Sequence, residues 1–161
     1  RRHSMNRAWV TSMSPNVEAV ANPLATACES EYVPDEIYIL GNPGLNDYLD
    51  RVTSMLERIV VEYGGKTPDI TVTKLDSETE FERIVEHYRA PVLAAHETDR
   101  AAAIDVTPGR KFMSAIAFQA GIQYDADHVF YLYLSEGQFY GRIFPDVPNQ
   151  ALDLIDFQEV F

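Results

Sequence analysis

An α/β fold, with a largely parallel sheet and helices on both of its faces, is what this sequence predicts, and three observations carry that reading. Short runs of β-branched and aromatic residues alternate with stripes of helical period along the chain. One run, Glu36-Ile37-Tyr38-Ile39-Leu40-Gly41, is mostly apolar, the pattern of a strand buried on both faces. Gly, Pro, Asn and Asp cluster between the runs, where the chain must turn. Strand and helix repeated in this order imply parallel pairing through right-handed crossovers.

The elements follow in order. Residues 7–12 are β-formers that turn polar at their carboxyl end. Ser14-Pro15 reads as an N-cap followed by proline at the first helical position. Val17, Val20, Ala21, Leu24, Ala27 and Cys28 then recur at helical spacing to about Glu29, with Pro23 a candidate kink. The second strand, residues 36–41, ends at the turn Asn42-Pro43-Gly44, which also stands where it can line a ligand. Leu45, Tyr48, Leu49, Val52, Met55, Leu56, Ile59, Val60 and Tyr63 form the clearest stripe in the chain, stopped by Gly64-Gly65. Residues 70–75 alternate with period two, as a strand near a sheet edge does.

Ser77 and Glu80 match a capping box opening a helix with Phe81, Ile84, Val85 and Tyr88 on one face, which Pro91 is expected to close. Residues 92–95 are apolar but too few to assign. A strand over 101–106 and a helix from Arg110 to about Gly121 come next. Residues 129–134 form a strand that the turn Glu136-Gly137-Gln138 joins to residues 139–144 as a C-terminal β-hairpin. Tyr131 and Tyr133 read as sheet-packing residues rather than a stacking platform. Residues 152–161 suit a short strand or a docked segment.

The chain of 161 residues fits one domain, expected over residues 5–161, with residues 1–4 set aside as a remnant before a native start at Met5. No apolar run approaches the roughly 20 residues of a membrane-spanning helix, so a soluble cytoplasmic protein without membrane contact is expected. The net charge of -12 speaks against binding long nucleic acid, which draws its free energy from Lys and Arg on phosphates. The single cysteine, Cys28, has no intrachain partner and sits on an apolar helical face. His87, His96 and His128 lack ligand spacing, so neither a metal nor a cofactor is expected.

Chemistry concentrates at residues 104–114. A strand ends at Asp105-Val106, Thr107-Pro108-Gly109 turns, and Arg110-Lys111 opens a helix. A helix N-terminus has unpaired N–H groups and the positive end of its macrodipole, which together suit an anion. Asp105 is expected to hold the turn's backbone donors rather than to touch that anion. In the strand order 3-2-1-4-5-6 the first and fourth strands are neighbours, so Thr11, Ser12, Ser14 and Asn16 would stand beside Thr107, Gly109, Arg110 and Lys111 as one positively biased site. Arg142 is either a rim contact or surface charge.

Asp105, Thr107 and Lys111 also fit the pattern D-x-[ST]-x-x-x-[RK], and the context V-T-P-G-R-K-F-M-S resembles the T-G-G-T-K-x-M-S form of CARF domains, the CRISPR-associated Rossmann-like sensors of cyclic oligoadenylates. The V-T-S-M-S-P-N stretch before the first helix is similar to that family's first strand and loop. Pro108 and Arg110 replace a glycine and a threonine of the commonest form. The resemblance implies a homodimer holding one cyclic tetra- or hexa-adenylate across its two-fold axis, each subunit supplying the Ser12/Ser14 loop and the turn from Thr107 to Lys111. It further implies an optional ring nuclease activity without metal, for which Lys111 and Ser12 are the candidate catalytic residues. Two other readings stand beside it: the sensing module of a larger transcription regulator or effector nuclease, and a Rossmann-like enzyme using a mononucleotide or dinucleotide. The chain lacks both G-x-G-x-x-G after its first strand and G-x-x-x-x-G-K-[ST], which weighs against the last.

Overall fold

A computed structural model describes residues 6–134, 143 and 152–161. Within them the strands are Arg7–Ser12 (β1), Glu36–Gly41 (β2), Asp69–Lys74 (β3), Ala101–Asp105 (β4), His128–Leu134 (β5) and Leu152–Asp156 (β6). The helices are Val17–Glu29 (α1), Asn46–Glu62 (α2), Phe81–Glu97 (α3), Lys111–Gln123 (α4) and the single turn Phe157–Val160 (α5). One sheet runs β3-β2-β1-β4-β5-β6, parallel throughout except for the antiparallel pair β5–β6.

Period-two alternation sends side chains to two cores. Ala8, Val10, Ala102, Ile104 and Val129 face α3 and α4, whereas Trp9, Ile37, Ile39, Ala103 and Phe130 face α1 and α2. The three alanines of β4 leave room for its neighbours: Trp9 stands opposite Ala103 in the register and stacks on Phe130 at 5.8 Å. A fully buried side chain of the size of Leu40 or Leu56 contributes roughly 1.5–3 kcal/mol, and such positions lie on both faces. Gly121 lets α4 settle on β5, since a Cβ there would meet Val129 Cγ2 at 2.5 Å. Cys28 is buried, as its helical face implied.

Several boundaries differ from the sequence reading. Pro91 does not close α3, which continues through it to Glu97 and absorbs residues 92–95. The proline forfeits one intrahelical hydrogen bond, and burial of Pro91, Val92 and Ala95 offsets that loss. Ser14 does not cap α1. The helix starts at Val17 after Asn16, and the Ser14 hydroxyl accepts the Asn16 N–H at 3.1 Å. Half of the Ser77–Glu80 box forms, Glu80 Oε2 accepting the Ser77 N–H at 3.1 Å, but Ser77 Oγ takes the Thr79 N–H and α3 begins only at Phe81.

The residues 139–144 assigned to a hairpin arm lie outside the described residues, apart from Ile143; among the described residues β5 pairs antiparallel with β6, from the tail. Tyr131 and Tyr133 are more than a third exposed rather than packed inside, and Tyr131 leans on Phe157. No helix among the described residues is long and apolar enough to cross a membrane.

Candidate functional site

The pairing of β1 with β4, from Arg7↔Ala101 to Val10↔Ile104, brings residues 11–16 against residues 105–111. Strand order reverses here, with β2 continuing on one side and β5 on the other, the point at which sheets of this kind have a crevice at their carboxyl edge. Asp105 is fully buried beneath it. Its Oδ1 accepts the Thr107 N–H at 3.0 Å and its Oδ2 the Thr11 hydroxyl at 3.1 Å, so it holds the turn as its sequence position implied. The Thr107 hydroxyl accepts the Leu132 N–H at 2.9 Å, tying the turn to β5. Ser12 Oγ donates to the Pro108 carbonyl at 3.2 Å, and Ser114 from α4 donates to the same oxygen at 3.4 Å.

Burial sets the electrostatics of this floor. Loss of hydration raises the Asp105 carboxyl to about 7 against the opposing pull of its hydrogen bonds from Thr107 and Thr11. An anion above the turn therefore meets a carboxyl that is not held fully ionised at neutral pH. His87, on α3, donates from Nε2 to the Thr11 carbonyl at 2.8 Å, the carbonyl having only lone pairs to offer. Burial lowers its pKa to about 4, which keeps the ring neutral. Sequence reading missed this role; the available signal was a polar residue beside Ile84, Tyr88 and Pro91 on a buried helical face.

Gly109 turns with φ +97°, and a Cβ there would stand 2.7 Å from Ser12 Oγ. Gly109→Ala is accordingly expected to cost roughly 1–3 kcal/mol, read from the urea midpoint; an unaltered midpoint would show that the turn relaxes freely.

The open side carries the charge. Arg110 and Lys111 are both exposed. Arg110 pairs with Glu78 at 3.2 Å across a solvated gap, a contact of small value. Lys111 makes no ion pair among the described residues. Helices α1, α2 and α4 all start at this edge, and their caps Asn16, Leu45 and Arg110 place no side-chain acceptor on the free N–H groups. Those donors remain available to an anion.

The structure thus brings the residues of the β1–α1 loop and the α4 turn to one edge but in two layers. Thr11, Ser12 and Ser14 are buried, with their hydroxyls committed to Asp105, Pro108 and Asn16; Asn16, Arg110 and Lys111 are exposed, and Thr107 and Gly109 partly so. Arg142 lies outside the described residues. A concavity of about 660 Å³ lies elsewhere, along α2, where Arg51, Arg58 and Glu62 line it together with Met55, Ile59 and Tyr63.

No family model matches the sequence, and no curated protein matches it. Solved structures do. Can2 from Sulfobacillus thermosulfidooxidans in complex with cyclic tetra-adenylate is 14% identical with a TM-score of 0.56, over 77% of this chain and 31% of that one. Enterococcus italicus Csm6 bound to cyclic hexa-2'-fluoro-hexa-dAMP is 11% identical with a TM-score of 0.53, over 83% and 35%. A type III CRISPR defence DNA nuclease activated by cyclic oligoadenylate is 17% identical with a TM-score of 0.54, over 81% and 19%. The chain spans about a third or less of the length of these structures. What it shares with them is the fold.

Proposed function

We propose that this chain is a CARF-type sensor that binds a cyclic oligoadenylate at the carboxyl edge of β1 and β4, as one half of a two-fold site in a homodimer. The observation that carries the reading is the turn from Thr107 to Lys111, which places free helical N–H groups and Lys111 beside the β1–α1 loop. Likeness of fold to proteins solved with cyclic tetra-adenylate and a cyclic hexa-adenylate analogue supports it, as do the two sequence motifs. A ring of four or six phosphates is itself symmetric and polyanionic, so two such edges facing each other complement it. The cationic turn supplies the local attraction that a chain of net charge -12 otherwise lacks.

In this reading Arg110, Lys111 and the N–H groups from Gly109 onward meet phosphate, with Asn16 and Thr107 at the rim. Thr11, Ser12 and Ser14 shape the floor through the hydrogen bonds described above. Ring cleavage is the enzymatic extension: a ribose 2′-hydroxyl attacks the adjacent phosphorus in line, its proton is lost, and the 5′-oxygen leaves and is protonated. Lys111 would stabilise the charge on the phosphorane while Ser12 positions the turn. The likeness to longer proteins also favours a sensing module that acts on a further domain.

Calorimetric titration with cyclic tri-, tetra- and hexa-adenylate tests the sensor reading, and light scattering with and without the ring tests the dimer. Binding of at least one ring by a dimer is expected; failure of all three rings would sink the proposal. Linear products after long incubation would establish cleavage, and an intact ring would leave a sensor alone.

A further inference from the structure

Asn42 follows β2 at the same edge. The residue comes directly after Gly41, the last of β2, and the Met13 N–H donating to the Leu40 carbonyl at 2.9 Å carries the β1–β2 ladder up to the β1–α1 loop. The residue is only 6% exposed, and its Oδ1 is buried without a hydrogen-bond partner among the described residues. Buried amide oxygens are rarely left so, because the lost hydration is not recovered.

The ordinary structural uses of an asparagine here do not account for that oxygen. In an Asx turn Oδ1 would accept an N–H two residues on, and as a helix cap it would accept one from the first turn of α2. It does neither: the cap is Leu45 without a side-chain hydrogen bond, and the turn is closed by the Asn42 backbone carbonyl, which accepts the Leu45 N–H at 3.3 Å. The backbone builds the turn, and the side chain is left over.

An unpaired acceptor beside a phosphate site repels phosphate and calls for a donor. Adenine offers one in its N6 amine, next to the N7 acceptor, and the asparagine amide matches that pair in both directions. We propose that Asn42 reads an adenine base of the bound ring, with Oδ1 accepting from N6 and Nδ2 donating to N7. This rests on the cyclic oligoadenylate reading above and adds the residue that makes the site specific for the base, whereas the cations at the α4 turn grip the backbone.

The test compares cyclic tetra- and hexa-adenylate with their inosine counterparts, in which a carbonyl replaces the N6 amine, on wild type and Asn42→Ala by calorimetry. Wild type is expected to prefer the adenine ring by roughly 10- to 100-fold, and Asn42→Ala to bind both rings alike. The ligand-free thermal midpoint of Asn42→Ala should be unchanged or higher, because an unpaired oxygen is removed. Equal affinity of wild type for the two rings, a preference that survives in Asn42→Ala, or a midpoint several degrees lower would each overturn the inference while leaving ring binding standing. If no ring binds wild type, the inference falls together with the reading beneath it.

Discussion

Lys111→Ala is expected to weaken cyclic oligoadenylate binding by roughly 10²- to 10⁴-fold while leaving the ligand-free thermal midpoint almost unmoved. A charge-assisted hydrogen bond is worth about 1.5–3 kcal/mol, and a two-fold site loses two of them per ring, which gives about 3–6 kcal/mol in all. Folding does not depend on this side chain, which is exposed and makes no ion pair among the described residues. It is the first residue of α4, where a cation opposes the macrodipole, so its removal slightly favours the helix. Arg110→Ala should have the smaller effect, because Glu78 competes with the ligand for the guanidinium. Calorimetry beside a thermal melt separates the alternatives. A folded Lys111→Ala protein that binds as tightly as wild type removes Lys111 from the site.

The second large effect is on stability rather than binding. Asp105→Asn should stabilise the protein at pH 8 by on the order of 4 kcal/mol, an advantage that shrinks as the pH falls toward 4. The carboxyl is raised from 3.8 to about 7 by burial, so between those values the folded state holds the proton more tightly than the unfolded one. Unfolding free energy therefore falls as pH rises through that window, and the stabilising contribution is gone above about 7. Asparagine keeps an oxygen for the Thr107 N–H and an amide for Thr11 without ever ionising.

His87 works in the opposite direction. Its pKa is depressed from 6.5 to about 4, so its contribution is complete above 6.5 and is lost as pH falls through about 4. Between roughly pH 4 and 6.5 the two slopes oppose each other in wild type. Only the His87 slope should remain in the variant, which therefore loses stability on acidification more steeply than wild type. Urea denaturation at several pH values reads both slopes. Parallel stability curves for the two proteins would show that Asp105 is already ionised in the fold at neutral pH.

Local order was determined by the sequence alone. Helical spacing from Leu45 to Tyr63 and the apolar run of β2 mark their elements because each pattern is set by neighbours a few residues away. The turn at Thr107-Pro108-Gly109 was legible for the same reason, since its chemistry lies within a single short stretch. Helix starts were less so: Ser14 and Ser77 have the side chains of caps, yet their hydroxyls bond nearby N–H groups before the helices begin. Tertiary structure decided which strands meet. Thr11 reaches Asp105 across 94 residues, β6 from the tail pairs with β5, and burial carries α3 through Pro91. The same packing turns Thr11 and Ser12 inward, leaves Lys111 open, and strands one amide oxygen of Asn42. A residue's type fixes what it can bond, but its partners and its exposure depend on surfaces that exist only once distant segments have packed.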